Sequence, residues 1–404
     1  MPVVLIGTLD TKGAEFQYVR DVLHAVGVKT LVIDAGVQGP PHFAPDISRD
    51  ELFVAAGTSI AQVREANDRG QAVEAAARGA TRLLADLYAQ GHIDGVLSLG
   101  GSAGTTIGTA AMRALPFGVP KLMVSTLASG QVRQYVGVKD ILMMHSVVDI
   151  CGLNRISRTV LANAAHAIAG MVANRQRIEA QASARPLISA TMFGVTTPCV
   201  EVSRLALEAA GYEVLVFHAT GTGGMTMESF IADGLICGVL DITTTELADE
   251  LVGGILSAGS DRLTAAGRRA VPQVISVGAL DMVNFGPRDT VPPQFRDRRF
   301  YQHNANVTLM RTTVEENARL GREMAEKASA ATGPTALMLP LRGVSAIDKE
   351  GQPFWWPEAD AALFDAIRRY LRPSVGLIEV DAHINDPAFA ALATQTLLEM
   401  LKVT

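Results

Sequence analysis

Short apolar runs alternate with segments of helical periodicity through the front half of the chain. "VVLIGT" (3–8) predicts a buried strand, and "AEFQYVRDVLHAVG" (14–27) predicts a helix with its apolar residues three and four apart. "TLVIDAG" (30–36) is the next strand, and a long helical region over roughly 58–91 leads to the strand "DGVLSLGG" (94–101). A helix near 103–114 and a strand at "KLMVST" (121–126) follow. Strands that read as continuous apolar runs, separated by helices, predict a parallel sheet covered on both faces. Right-handed crossovers then place the loops that follow the strands along one edge, where such sheets bind ligands.

The polar stretch "NRQRIEAQASAR" (174–185) interrupts this pattern, and the domain boundary is placed within it, giving subdomains 1–183 and 184–404. The pattern then restarts with "PLISATMFGVTTP" (186–198), a helical "CVEVSRLALEAAG", "YEVLVFHATGTGG" (212–224), "GLICGVLDITTTE" (234–246) and "PQVISVGALDMVNFG" (272–286). "TALMLPLRGVSAID" (335–348) and "VGLIEVDAHI" (375–384) predict further strands, before a terminal helix from about 387. The order strand, Thr- and Gly-containing loop, helix, strand opens both halves. The fold class expected is therefore α/β, with two Rossmann-like subdomains built on mainly parallel sheets.

Composition narrows the function classes. The 404 residues are 48% apolar and 19% charged, as in a well-packed α/β protein. A net charge of −6 argues against a nucleic-acid footprint. No apolar run reaches the ~18 residues of a membrane span, and the N-terminus lacks the basic start of a signal peptide. Three widely spaced cysteines, Cys151, Cys199 and Cys237, fit reduced thiols in a cytoplasm. Partners expected are a nucleotide and a small molecule, with neither nucleic acid nor membrane.

Four loops carry candidate chemistry. In "GTLDTKGAE" (7–15), Thr8 and Thr11 supply hydroxyls, Asp10 can cap the helix or hold a magnesium water, and Lys12 can meet a phosphate. In "SLGGSAGTTIG" (98–108), Gly100, Gly101 and Gly104 free successive N–H groups to form an anion nest ahead of a helix N-terminus, with Ser102 and Thr105 as hydroxyl donors. Each loop also reads as a plain strand-to-helix turn. Neither is a G-x-x-x-x-G-K-[ST] loop or a G-x-G-x-x-G fingerprint, and no ribose-binding acid follows a second strand in the usual arrangement. Gly36 and Thr126, at the ends of neighbouring strands, complete the nucleotide-site candidates.

The third loop, "HATGTGGMTME" (218–228), offers a second anion or substrate site at Gly221, Thr222, Gly223 and Gly224, beside Asp241 of "DITTTE". The fourth stretch, "RDRRFYQHNANVTLMRTT" (296–313), adds Asn304 and Arg311 to that site and His303 as a candidate base. The catalytic candidates are His145, Asp149, Asp241 and His303, each with a structural alternative. "DAHINDP" (381–387) is too poor in further ligands to predict a metal centre. The hydrolase elbow and paired-cysteine zinc signatures do not occur.

In this order and spacing, "GTLDTKGAE", "LGGSAGTT", "MMHSVVDICGLNRISR", "ATMFGVTTPCV", "FHATGTGGMTME", "VGALDMVNFG", "HNANVTLMRTT" and "LPLRGVSAID" resemble the ATP-binding-domain family of the tomato mosaic virus resistance protein. The resemblance covers essentially the whole chain. It implies two Rossmann-like subdomains, ATP bound at the N-terminal part, and a homodimer. Magnesium, which Asp10 could orient, is the counter-ion expected from the loop chemistry. The plant protein's antiviral role depends on a viral partner and is not carried over. Three functions fit this reading. One is ATP-dependent action on a small acidic or phosphorylated metabolite. Another is a non-catalytic, nucleotide-dependent binding or dimerisation module. The third is a lyase or isomerase that uses the glycine loops for substrate phosphate or carboxylate.

Overall fold

The computed structural model describes residues 2–181 and 185–402. The chain divides into two compact units, Met1–Ser183 and Ala184–Thr404. The boundary expected between 183 and 184 lies outside the described residues, and helix, not linker, occupies 174–181.

The N-terminal unit carries strands β1 (Val3–Gly7), β2 (Thr30–Asp34), β3 (Gly95–Gly100), β4 (Lys121–Ser125) and β5 (Leu142–His145). Its helices are α1 (Gly13–Ala25), α2 (Arg49–Ala55), α3 (Ile60–Ala66), α4 (Arg69–Ala89), α5 (Ser102–Arg113), α6 (Arg133–Val136) and α7 (Arg155–Gln181). The long helix expected over 58–91 is two helices, and the reason is local. Asn67 turns left-handed at φ 46° to end α3, and the Asp68 side chain then caps α4 by accepting from Gln71 N. A capping box of Ser48 and Glu51 starts α2, which the periodicity did not show.

The five strands are parallel and lie in the order β2-β1-β3-β4-β5. Alternation along β1 builds both faces of the sheet. Val4 and Ile6 pack with Phe53, Leu84 and Met112 of α2, α4 and α5. Val3 and Leu5 pack with Phe16, Val19 and Leu23 of α1 and with Leu161 and Ile168 of α7. β1 therefore has no polar face, as a doubly covered parallel strand requires.

The C-terminal unit carries β6 (Leu187–Met192), β7 (Glu213–His218), β8 (Ile236–Thr243), β9 (Gln273–Gly278), β10 (Met282–Phe285), β11 (Phe300–Asn304), β12 (Val307–Arg311), β13 (Thr335–Pro340) and β14 (Gly376–Val380). Its helices are α8 (Thr197–Ala209), α9 (Thr222–Ala232), α10 (Glu246–Val252), α11 (Ala265–Arg268), α12 (Val314–Ser329), α13 (Pro357–Tyr370) and α14 (Pro387–Leu401). Six strands form a parallel sheet in the order β14-β13-β9-β8-β6-β7. Counted from its own first strand, this unit repeats the neighbour order of the N-terminal one and adds a sixth strand. The expected α/β class with two Rossmann-like sheets therefore holds. The 296–313 stretch is not a connector: β12 pairs antiparallel with both β10 and β11 in a separate three-stranded sheet.

Candidate functional site

In the order 2-1-3-4-5 the chain runs outward from β1 to β2 and then crosses back to β3. The loops after β1 and β3 therefore leave the sheet edge in opposite directions and open a crevice between them, the topological switch point where open α/β sheets bind ligands. A cavity of about 690 Å³ lies there. One wall is the β1 loop, with Thr8, Asp10, Thr11 and Lys12, and another is the glycine turn, with Gly100, Gly101, Ser102 and Gly104. Ala35 and Val37 after β2, Val63 of α3, and Val73 and Ala76 of α4 make an apolar wall.

The turn has to be glycine at 100 and 104. A Cβ on Gly100 would stand 2.9 Å from Gly104 Cα, and one on Gly104 would stand 3.0 Å from the Leu99 carbonyl oxygen. That closeness bends the chain straight from β3 into α5, whose N-cap, Gly101, provides no side-chain cap. The amides of the first turn have no intrahelical acceptor. The first such bond runs from Thr105 N to Gly101 O at 2.8 Å.

Several candidates serve the walls of the cavity instead of facing it. Thr105 is fully buried, its hydroxyl 2.7 Å from that of Ser125, and so ties α5 to β4. Thr126 donates its backbone N–H to Gly100 O at 3.3 Å and braces the turn. Gly36 leaves room for Asp10, whose Cγ would lie 2.6 Å from a Cβ at that position. The Lys12 ammonium donates to the Ile150 carbonyl, and Glu15 accepts from Gly152 N at 2.6 Å, so α1 holds the 150–152 loop. Two of the three ammonium donors remain for a ligand.

Sequence reasoning missed Asp34. The second strand does end on an acid, but it is buried. It accepts from Leu9 N at 3.1 Å, Gly36 N at 2.8 Å and Arg49 Nε at 2.8 Å. It shapes the β1 and β2 loops and has no capacity left for a ribose. Of the catalytic candidates His145 and Asp149, Asp149 lines the cavity, while His145 is exposed at the end of β5.

The second glycine loop looks like the first in sequence and differs in the fold. Gly221 N and Gly224 N both donate to Glu246 Oε1, at 2.7 and 3.0 Å. The nest around Gly221, Thr222, Gly223 and Gly224 is thus filled by a carboxylate of the same chain, which corrects its assignment as a free anion site. Burial pushes the Glu246 carboxyl up, against the pull of Arg262. Asp241 is likewise committed: it is buried, 2.7 Å from Arg262 Nη2 and from the Thr191 hydroxyl. Glu228 accepts from Leu263 N at 2.6 Å and Ala265 N at 2.8 Å, capping α11.

Arg311 does not join that loop. It is buried, donating to Asp360 Oδ1 at 2.6 Å and Phe354 O at 2.7 Å. Asn304 and His303 are exposed on β11. Around Arg311 lies a cluster absent from the sequence candidates: Asp281, Asp348 and Asp360, with the Ser345 hydroxyl 2.8 Å from Asp281 Oδ2. Burial drives all three carboxyls up, Asp360 to about 7. His383 accepts from Asn385 N on Nδ1, so its Nε2–H donates to Ser345 O at 2.8 Å, a structural role. The loops "GALDMVNFG" and "LPLRGVSAID" carried Asp281, Ser345 and Asp348, and Asp360 lies on α13, but nothing along the chain showed that they meet. Cys199 is buried and its thiol is pushed up to about 12 by desolvation, as for an inert core cysteine.

Fold and cavity together define a two-unit, doubly wound α/β protein with an open switch-point cavity in its N-terminal unit. The chain belongs to the UPF0261 family. The family model for the Uncharacterised protein family (UPF0261) N-terminal domain matches residues 1–177, and that for the C-terminal domain matches residues 185–401. A UPF0261 protein of Clostridium tetani is 49% identical over 401 residues, 99% of each chain. The ToMV susceptible protein tm-1(GCR26) of Solanum lycopersicum is 41% identical over 420 residues, covering 98% of this chain and 55% of that protein. The ToMV resistance protein Tm-1(GCR237) is 40% identical over 422 residues, with the same coverage. The chain therefore spans about half the length of its tomato relatives, and the resemblance read from its motifs is a family relationship. Among solved structures, a UDP-N-acetylglucosamine 2-epimerase from Rickettsia bellii aligns over 100% of this chain and 97% of its own. Its identity is 9% and its TM-score 0.24, too low to carry an argument.

Proposed function

We propose that the N-terminal unit binds a purine nucleotide, ATP with magnesium, at the β1/β3 switch point. The observation that carries this reading is the cavity itself, with an uncapped helix N-terminus and Lys12 on its polar side and an apolar wall from α3 and α4 on the other. Backbone amides and the positive end of α5 suit phosphate, Lys12 supplies a point charge, and the apolar wall suits a base. The reading is one of binding: a small metabolite held on the second glycine loop loses its support, because Glu246 fills that loop. We take the working form to be a homodimer, following the family resemblance, and a cytoplasmic one, following its three widely spaced cysteines. Among the described residues, no helix is long and apolar enough to cross a membrane.

Calorimetric titration with ATP, with and without magnesium, tests the site. Wild type should bind saturably, and Lys12→Ala should weaken binding about tenfold, as for one charge-assisted hydrogen bond. Gly101→Val places a side chain in the turn and should abolish binding while the melting temperature stays close to wild type, since its Cβ meets only Thr126 Oγ1, at 3.8 Å. Absence of wild-type binding at millimolar ATP would remove the nucleotide reading. Sedimentation equilibrium reads the dimer directly.

A further inference from the structure

The walls of the cavity follow the strand order β2, β1, β3, which separates its two polar features. The glycine turn stands on the β3 side. Asp10 leans the other way, toward β2, where its carboxyl fills the space over Gly36 and Oδ2 accepts from Gln38 N at 2.8 Å. Its second oxygen, Oδ1, is buried and has no hydrogen-bond partner. Buried carboxylate oxygens are satisfied in native structures, so an unmatched one on a cavity wall marks a place for a donor brought from outside. On the nearby wall Ala35, Val37 and Val63 carry no side-chain donor, and the Arg64 guanidinium is turned away, donating to Val37 O at 2.6 Å and Gln38 O at 3.2 Å.

We propose that Asp10 Oδ1 accepts a hydrogen bond from a hydroxyl of the bound ligand, so that Asp10 makes the site select a ribonucleotide over its deoxy analogue. This rests on the nucleotide reading and deepens it. With phosphates on the glycine turn and the base against α3 and α4, the sugar lies between them, and the β2-side carboxylate meets its hydroxyl edge. Asp10 thereby does the work that Asp34, tied up by Arg49 and two amides, has no acceptor left to do.

The test titrates the full chain with ATP, 2′-deoxy-ATP, 3′-deoxy-ATP and tripolyphosphate, each in magnesium and in EDTA, for wild type, Asp10→Asn and Asp10→Ala. Wild type should bind one of the deoxy analogues about 10- to 100-fold more weakly than ATP, in both conditions, as for a hydrogen bond to a charged group. Asp10→Ala should reduce that ratio to about one, Asp10→Asn, whose amide NH2 can still donate to a hydroxyl oxygen, should reduce it in part, and both should keep tripolyphosphate affinity. Asp10→Asn retains an acceptor for Gln38 N, so it separates loss of the hydroxyl contact from loosening of the loop. Equal wild-type binding of all three nucleotides, or a ratio that survives in full in Asp10→Ala, overturns the proposal. So does a ratio that appears only with magnesium, which would make Asp10 a cation ligand. Tripolyphosphate binding without sugar discrimination removes this inference alone, whereas failure of both ATP and tripolyphosphate removes the nucleotide reading beneath it.

Discussion

Arg262→Met destabilises the C-terminal unit by about 3–5 kcal/mol, the cost of leaving buried carboxylates without their counter-charge. Arg262 is fully buried, yet every face of its guanidinium is matched. Nη2 donates to Asp241 Oδ1 at 2.7 Å, Nε to Glu246 Oε2 at 2.7 Å, and Nη1 reaches Glu228 Oε1 at 3.3 Å. Methionine fills much of the volume but leaves Asp241 and Glu246 facing each other in a low-dielectric interior, where they fold only by taking up protons. The defect should therefore deepen as pH rises, seen as a urea midpoint that falls further below wild type at pH 8 than at pH 5. Arg262→Lys should recover only part of the loss, because an ammonium cannot span three carboxylates with the geometry of a guanidinium. A loss under about 1 kcal/mol in the methionine variant would mean that the cluster is not held by charge, since a median surface pair contributes that much.

The second large effect is a stability that falls as pH rises from about 4 to about 7. Burial pushes Asp249 up to about 7, and Asp360 also to about 7, with Asp281 and Asp348 raised in the same direction. In the unfolded chain an aspartate titrates near pH 4. Between about pH 4 and 7 the folded protein thus holds protons that the unfolded chain has released. Stability is full below that window and is lost as pH rises through it. A carboxyl shifted from about 4 to about 7 accounts for on the order of 4 kcal/mol.

Asp249 allows a clean test. It accepts from Asn284 Nδ2 at 2.6 Å and Asn284 N at 3.0 Å, while Asn284 Oδ1 is buried without a partner. In Asp249→Asn, a flip of the Asn284 amide lets that orphaned oxygen accept from the new side-chain amide. The variant should match wild type near pH 5, exceed it at pH 8, and show a shallower dependence of unfolding free energy on pH. An unchanged slope would show that Asp249 is ionised throughout.

The two glycine loops show most directly how far the sequence reached. "SLGGSAGTTIG" and "HATGTGGMTME" both predict a glycine-rich turn into a helix, and both form one, at α5 and α9. Both have the freed N–H groups that an anion nest requires. Only the tertiary fold decides that one nest is filled, because Glu246, the first residue of α10, enters it from a different strand–helix unit. Similarly, Thr105 and Ser102 are three residues apart in one motif. The helix turns the first into the β4 interface and leaves the second on the cavity wall.

What the chain determined by itself was local and periodic. Continuous apolar runs demanded a doubly covered parallel sheet, 3.6-residue spacing demanded the covering helices, and Gly100 with Gly104 demanded the tight exit from β3. Even the missed break between α3 and α4 was written locally, in Asn67 and Asp68. The tertiary structure decided strand order, and with it which two loops flank the crevice. It also decided which charges are already spent: Asp34 on Arg49, Asp241 and Glu246 on Arg262, Arg311 on Asp360. Those partners lie 15 to 49 residues apart along the chain, and a charge's availability depends on what packs against it rather than on its neighbours in sequence.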